Sequence, residues 1–171
     1  MVCRWQKMSI AHIETLMYNP IFLSKVIQSF MTGYEKNVDM RTIFYVFPIV
    51  MYKDSRDKLN SAKSTSTLYS TFNKESNFED YGINLNTKFC LNQITDIFDD
   101  YIEITKQSII VLANQHKIFF DGSINLLEKF DYRKSPVLIR EYFKAAYYLG
   151  KILTGIELVE FEDFLEIKVE V

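Results

Sequence analysis

The side chains best able to do chemistry are few and scattered. Histidine occurs only at His12 and His116, and cysteine only at Cys3 and Cys90. A zinc site wants closely spaced ligand pairs, and these four residues form none. His12, near Glu14, has the chemistry of a general base. No Ser or Cys, however, sits in a nucleophile turn of the G-x-S-x-G type. The five glycines (Gly33, Gly82, Gly122, Gly150 and Gly155) are dispersed and build neither G-x-G-x-x-G nor G-K-[ST]. The usual phosphate cradles of nucleotide enzymes are therefore missing. These residues predict a protein that is not an enzyme and needs no cofactor or metal.

Two charged clusters remain. Asp96, Asp99, Asp100 and Glu103 are spaced i, i+3, i+4 and i+7, which puts them on one face of a helix. A metal would need further ligands from a facing helix, and none is evident. The expectation is an acidic face, solvated or turned to a partner. Lys53, Arg56, Lys58 and Lys63 lie among hydroxyls and helix starts, a mixture able to contact phosphate or DNA. Ordinary helix capping uses the same residue types.

Composition narrows the classes further. The 171 residues carry 22 acidic and 20 basic side chains, a net charge of −2. Affinity for nucleic acid is dominated by phosphate neutralisation, so this balance argues against a free-standing DNA binder. Two distant cysteines make no disulfide framework and suit a reducing compartment. Residues 1–7 lack the apolar core of a signal peptide. The longest apolar run, Ile43 to Tyr52, is interrupted by Pro48 and falls short of the roughly 20 residues a membrane helix needs. A cytoplasmic protein without a membrane segment is expected. Fourteen Phe and 11 Tyr predict a bulky core and leave some aromatic surface for interfaces.

The elements that must position these residues read as mainly helical. A loose helical pattern covers Met8 to Met17. Asn19-Pro20 then announces a helix, Asn as N-cap and Pro as first residue, that runs to Phe30 or Met31 with Gly33 as its stop. Asp39 caps an apolar element to Tyr52, a helix kinked or overlapped at Pro48. Asp54-Ser55 looks like a cap for a short turn, and Ser64 to Thr67 leads into another at Leu68, Tyr69 and Phe72. Residues 73–85 read as a loop. An amphipathic helix carries Phe89, Ile94, Ile97, Phe98 and Tyr101 on one side, and a second short helix fits Thr105 to Gln115. Lys117 to Leu127 reads as a hairpin around Asp121-Gly122, with a type I′ turn. Two helices and a tight hairpin are the layout of a winged helix, but Lys106, Gln107, Asn114 and Gln115 are a thin set for base reading. A last helix starts at Ser135-Pro136 and ends near Leu153 and Gly155. The alternation of Ile167, Val169 and Val171 allows a closing strand. One domain over 1–171 is expected, with a helical part 8–72, a loop 73–85, a winged-helix-like part 86–132, and a helix 135–153 with tail 154–171.

Taken in order, these motifs resemble a known family. Ile13-Glu14-Thr15-Leu16-Met17-Tyr18-Asn19-Pro20 is similar to a Glu-x-x-x-Leu-x-Asn-Pro opening. Phe44 to Lys53 resembles an apolar Leu-Pro-x-x-Leu stretch followed by a basic residue, and Thr65-Ser66-Thr67-Leu68 a Ser/Thr-rich helix start. The Asp-Gly hairpin and Lys144 to Lys151 follow in the expected order. The family is the middle component of bacterial ABC three-component systems. The resemblance implies a non-enzymatic adaptor between an SMC-like or Rad50-like ABC ATPase and an effector in anti-phage or anti-plasmid defence, with DNA reached through the complex. A winged-helix DNA-binding regulator is the alternative.

Overall fold

A computed structural model describes residues 18–75, 86–91 and 94–167; the expected Met8–Met17 helix, His12, Glu14 and Cys3 lie outside them. The described chain is compact and mainly helical, with one small antiparallel sheet, as the sequence predicts.

The central element is α1, Pro20–Tyr34. The Asn19 carboxamide oxygen accepts from the Ile21 and Phe22 amides at 2.9 and 3.3 Å, so the expected cap is real. The expected stop is not. Gly33 lies inside the helix, which ends one residue later at Tyr34, with Glu35 in the left-handed region at φ 61°. Glycine serves here for close approach. A Cβ at Gly33 would stand 2.0 Å from the Tyr147 carbonyl oxygen, in the long helix α8, Val137–Leu153. Reciprocally, a Cβ at Gly150 would stand 2.1 Å from the Phe30 carbonyl oxygen. Backbone therefore touches backbone where α1 crosses α8.

Nearly all of α1 is buried, so its polar side chains must be paired internally. Ser29 Oγ donates to the Phe143 carbonyl at 2.7 Å, and Gln28 Nε2 to the Glu128 carbonyl at 2.9 Å. Thr32 Oγ1 donates to the Gln28 carbonyl and accepts from the Phe130 amide. These bonds tie the chain after the hairpin to the centre of the fold.

The apolar run after Asp39 breaks into α2, Met40–Phe44, and α3, Val46–Met51. The break falls at Tyr45 rather than at Pro48. Proline has no amide to donate to the residue four back, Phe44, so the helix is interrupted there and restarts with Pro48 in its first turn. Then follow α4, Lys53–Asn60, and α5, Leu68–Phe72. Thr67 caps α5 in a capping box with Ser70. Asp54-Ser55 is not a cap: both residues lie within α4 and are buried. Thr87, at the head of α6 (Thr87–Leu91), donates to Asp54 at 2.5 Å.

The helices expected at Phe89–Glu103 and Thr105–Gln115 are largely one element, α7, Ile94–Asn114. Thr105 does not start a new helix; its hydroxyl donates to the Tyr101 carbonyl one turn back, at 2.7 Å. His116 ends α7 in the left-handed region at φ 55°, its amide bonded to Ala113 and the Lys117 amide to Leu112. That is a Schellman motif, so His116 serves backbone geometry.

The hairpin is β1, Ile118–Asp121, paired with β2, Ser123–Leu126. Gly122 has φ 69°, but Asp121 does not share a positive φ, so the turn is not type I′. Val38, between α1 and α2, exchanges two backbone hydrogen bonds with Ile124 of β2, each 2.9 Å. After α8 the chain forms α9, Leu158–Leu165, where the sequence suggests a tail with a closing strand at its end. Ile167 is buried outside any strand; Val169 and Val171 lie beyond the described residues.

Glu162 of α9 accepts from Tyr45 Oη at 2.6 Å and from Arg41 at 3.0 Å. Burial first, then the Glu162 carboxylate, holds the Tyr45 hydroxyl well above the ordinary tyrosine range. Burial, with the charges of Tyr18 and Asp100, pushes Tyr101 up to about 12. An acid whose folded pKa is raised contributes stability below its unfolded pKa and loses it as pH rises through the folded value. The melting temperature is therefore expected to fall between about pH 10 and 12, less steeply in Tyr45→Phe. Equal slopes for the two proteins in thermal unfolding would disprove the assignment.

Candidate functional site

The four cations singled out in the sequence differ in exposure, and Arg56 is buried. Lys53 projects outward from the first turn of α4, its side chain 77% exposed and its ammonium 2.6 Å from Asp57. Lys63 is exposed after α4, and Lys58 is half-buried. Arg56 contradicts its expected role as a phosphate contact. It is only 7% exposed, and Nη1 donates to the Val50 and Met51 carbonyls at 3.1 and 2.8 Å. Its guanidinium carbon lies 4.3 Å from the Tyr142 ring centroid. Nε is 3.3 Å from Glu141, inside ion-pair range but off the hydrogen-bonding line. Arg56 thus terminates α3 and packs it on α8.

The acidic face is present in part. Asp99, Asp100 and Glu103 are exposed along α7, while Asp96 belongs to that helix but its side chain is outside those described. Glu103 pairs with Lys106 at 2.7 Å. Asp99 and Asp100 have no ion pair among the described residues. Nor does any group of three or more His, Cys, Asp or Glu among them have the arrangement to hold a metal.

A different surface emerges at the hairpin, one that the sequence reading passes over. Side chains alternate across a strand, so a hairpin with apolar residues at successive positions must expose some of them. Ile118 and Ile124 turn inward and are buried. Phe119 and Leu127 stay outside, 47% and 57% exposed, and Phe120 at the tip is 65% exposed. The run Ile118-Phe119-Phe120 carried this signal, since both faces of so short a strand cannot be core. Between this outer face and the end of α1 lies a cavity of about 290 Å³, lined by Met31, Phe119, Leu126 and Leu127 together with Thr32, Asn37 and Asn125. Lys36 and Lys129 stand on its rim. Glu35 also lines it but is paired with Lys151 at 2.7 Å, and that hydrogen bond holds its carboxyl below the ordinary range. A second apolar pair, Val137 and Leu138, is exposed in the first turn of α8. Such a surface is equipped to bind, by apolar contact and charge.

No helix among the described residues is long and apolar enough to cross a membrane. A family model described as "ABC-three component (ABC-3C) system Middle Component 3" matches residues 7–169. No curated protein and no solved structure matches the chain.

Proposed function

We propose a function from one premise: the chain belongs to the family of ABC three-component system middle component 3 proteins. Membership makes it a component of a multi-subunit system, and protein partners follow from that. Our reading is that it is a non-enzymatic adaptor in the cytoplasm, joining an SMC-like ABC ATPase to an effector in defence against phage or plasmids. The observation that carries the reading is the exposed apolar set at the hairpin, Phe119, Phe120 and Leu127. A group of exposed large apolar side chains is what a docking surface needs and what a solitary protein avoids.

Co-expression with the other two components, followed by size exclusion, tests this. The chain is expected to elute with at least one of them; migration alone at micromolar concentration would remove the proposal.

One observation favours the DNA-binding alternative. The single-residue bridge from Val38 to Ile124 lies on the far side of β2, between a first helix and the later helices, where a winged helix has its third strand. Against it, the helix before the hairpin presents Asp99, Asp100 and Glu103 to solvent, which would repel phosphates. A duplex mobility shift that fades steeply with salt would restore this alternative.

A further inference from the structure

We infer that the outer face of the hairpin and the cavity beside it form the docking site for an acidic, extended segment of a partner protein, bearing a large apolar side chain. The inference rests on the adaptor reading and assigns it a place on the molecule. Three observations converge there. The cavity of about 290 Å³ has the volume for one large side chain, and its lining is mixed: Met31, Phe119, Leu126 and Leu127 are apolar, while Thr32, Asn37 and Asn125 bring hydrogen-bonding groups. Its rim carries Lys36 and Lys129, neither with an ion pair among the described residues, in a chain whose net charge is −2. Strand β1, which contributes Phe119 to the cavity, is an edge strand: among the described residues it pairs only with β2, whose far side meets Val38.

Each part selects something in the occupant. An edge strand accepts an extended segment through main-chain hydrogen bonds, with alternate side chains entering pockets. The apolar part of the lining, Met31, Phe119, Leu126 and Leu127, accepts an aromatic or long aliphatic side chain. The two ammonium groups select carboxylates and speed encounter with an acidic partner. A second copy of this chain fits less well, since a two-fold pairing of this face with itself would bring two lysine-bearing patches together. Nucleic acid fits less well too. Two cations beside this cavity make a short track for phosphates, and Phe119 is the one ring among the described residues lining it on which a base could stack.

The test uses the full chain with the ATPase and effector components of its own system as probes. Lys36→Glu/Lys129→Glu and Phe119→Ser/Leu127→Ser are compared with wild type by titration, after thermal unfolding has shown each variant folded. Both variants are expected to bind one component at least tenfold more weakly and the other as wild type does. The charge-reversed variant should also lose the salt dependence of the wild-type affinity. Wild type that captures neither component defeats the adaptor reading, and the site with it. Wild type that captures a component which the charge-reversed variant holds equally well overturns the site and leaves the adaptor reading standing. Self-association abolished by either variant, or duplex DNA binding lost with protein capture intact, would assign the face to those occupants instead.

Discussion

Gly150→Ala is expected to destabilise the protein by about 3 kcal/mol or more, against the ordinary preference of helices for alanine. In an open helix the same change would stabilise by about 1 kcal/mol, because glycine loses more backbone entropy on folding. Here the added methyl would meet the Phe30 carbonyl oxygen at 2.1 Å and the Tyr34 amide nitrogen at 2.7 Å. Both are backbone atoms of α1, unable to swing aside as a side chain does. Relief requires the two helices to part by more than an ångström. That movement would strain the bonds from Ser29 Oγ to Phe143 and from Thr154 Oγ1 to Tyr34, each 2.7 Å. Overpacking a close-packed core costs about 1–3 kcal/mol, and more when backbone must move. At 2–4 °C per kcal/mol for a domain of this size, the melting temperature should drop by roughly 6–12 °C. Gly33→Ala should behave alike, and the double variant should cost less than the sum, since the helices are already apart. Gly122→Ala is the control: it has open space around it but φ 69°, and should cost only about 1 kcal/mol. A neutral or stabilising Gly150→Ala would refute the close crossing.

The same glycine contact shows where sequence reading stops. Capping at Asn19, Asp39 and Thr67 is written within three residues of each site, so it was legible. Gly33 looks like a helix stop for equally local reasons, but the residue that explains it, Tyr147, lies more than a hundred positions away. Thr105 resembles a helix start, yet tertiary packing carries α7 straight through it and leaves its hydroxyl to bond back to Tyr101. The acidic face was legible because helical spacing alone places Asp99, Asp100 and Glu103 together. The hairpin cavity was not, since its walls come from the end of α1 and from residues 119–129. Only the apolar excess of β1 hinted at it. Family resemblance, carried by the order of weak motifs, proved more informative than any single residue.

Arg56 is the second position where a large effect is expected, and it separates a structural role from a phosphate-binding one. The end of α3 leaves the carbonyls of Ile49, Val50 and Met51 without helical partners, because Tyr52 turns extended. Ser55 Oγ takes the first, and the Arg56 guanidinium takes the other two while lying against Tyr142. Arg56→Ala strands two buried acceptors and removes the packed guanidinium. Each unsatisfied group costs about 1–3 kcal/mol, so a loss near 3 kcal/mol is expected. Arg56→Lys should recover little, since one ammonium cannot reproduce a planar group that bonds two carbonyls and stacks on a ring. Lys53→Ala offers the contrast on the same helix. Its exposed pair with Asp57 is worth no more than about 0.5 kcal/mol, so stability should hardly change. A phosphate-contacting Arg56 would show the opposite pattern, with an unchanged melting temperature and weakened DNA binding. Thermal unfolding of the three variants decides between them: wild-type stability in Arg56→Ala would return this side chain to the surface and to the function first expected of it.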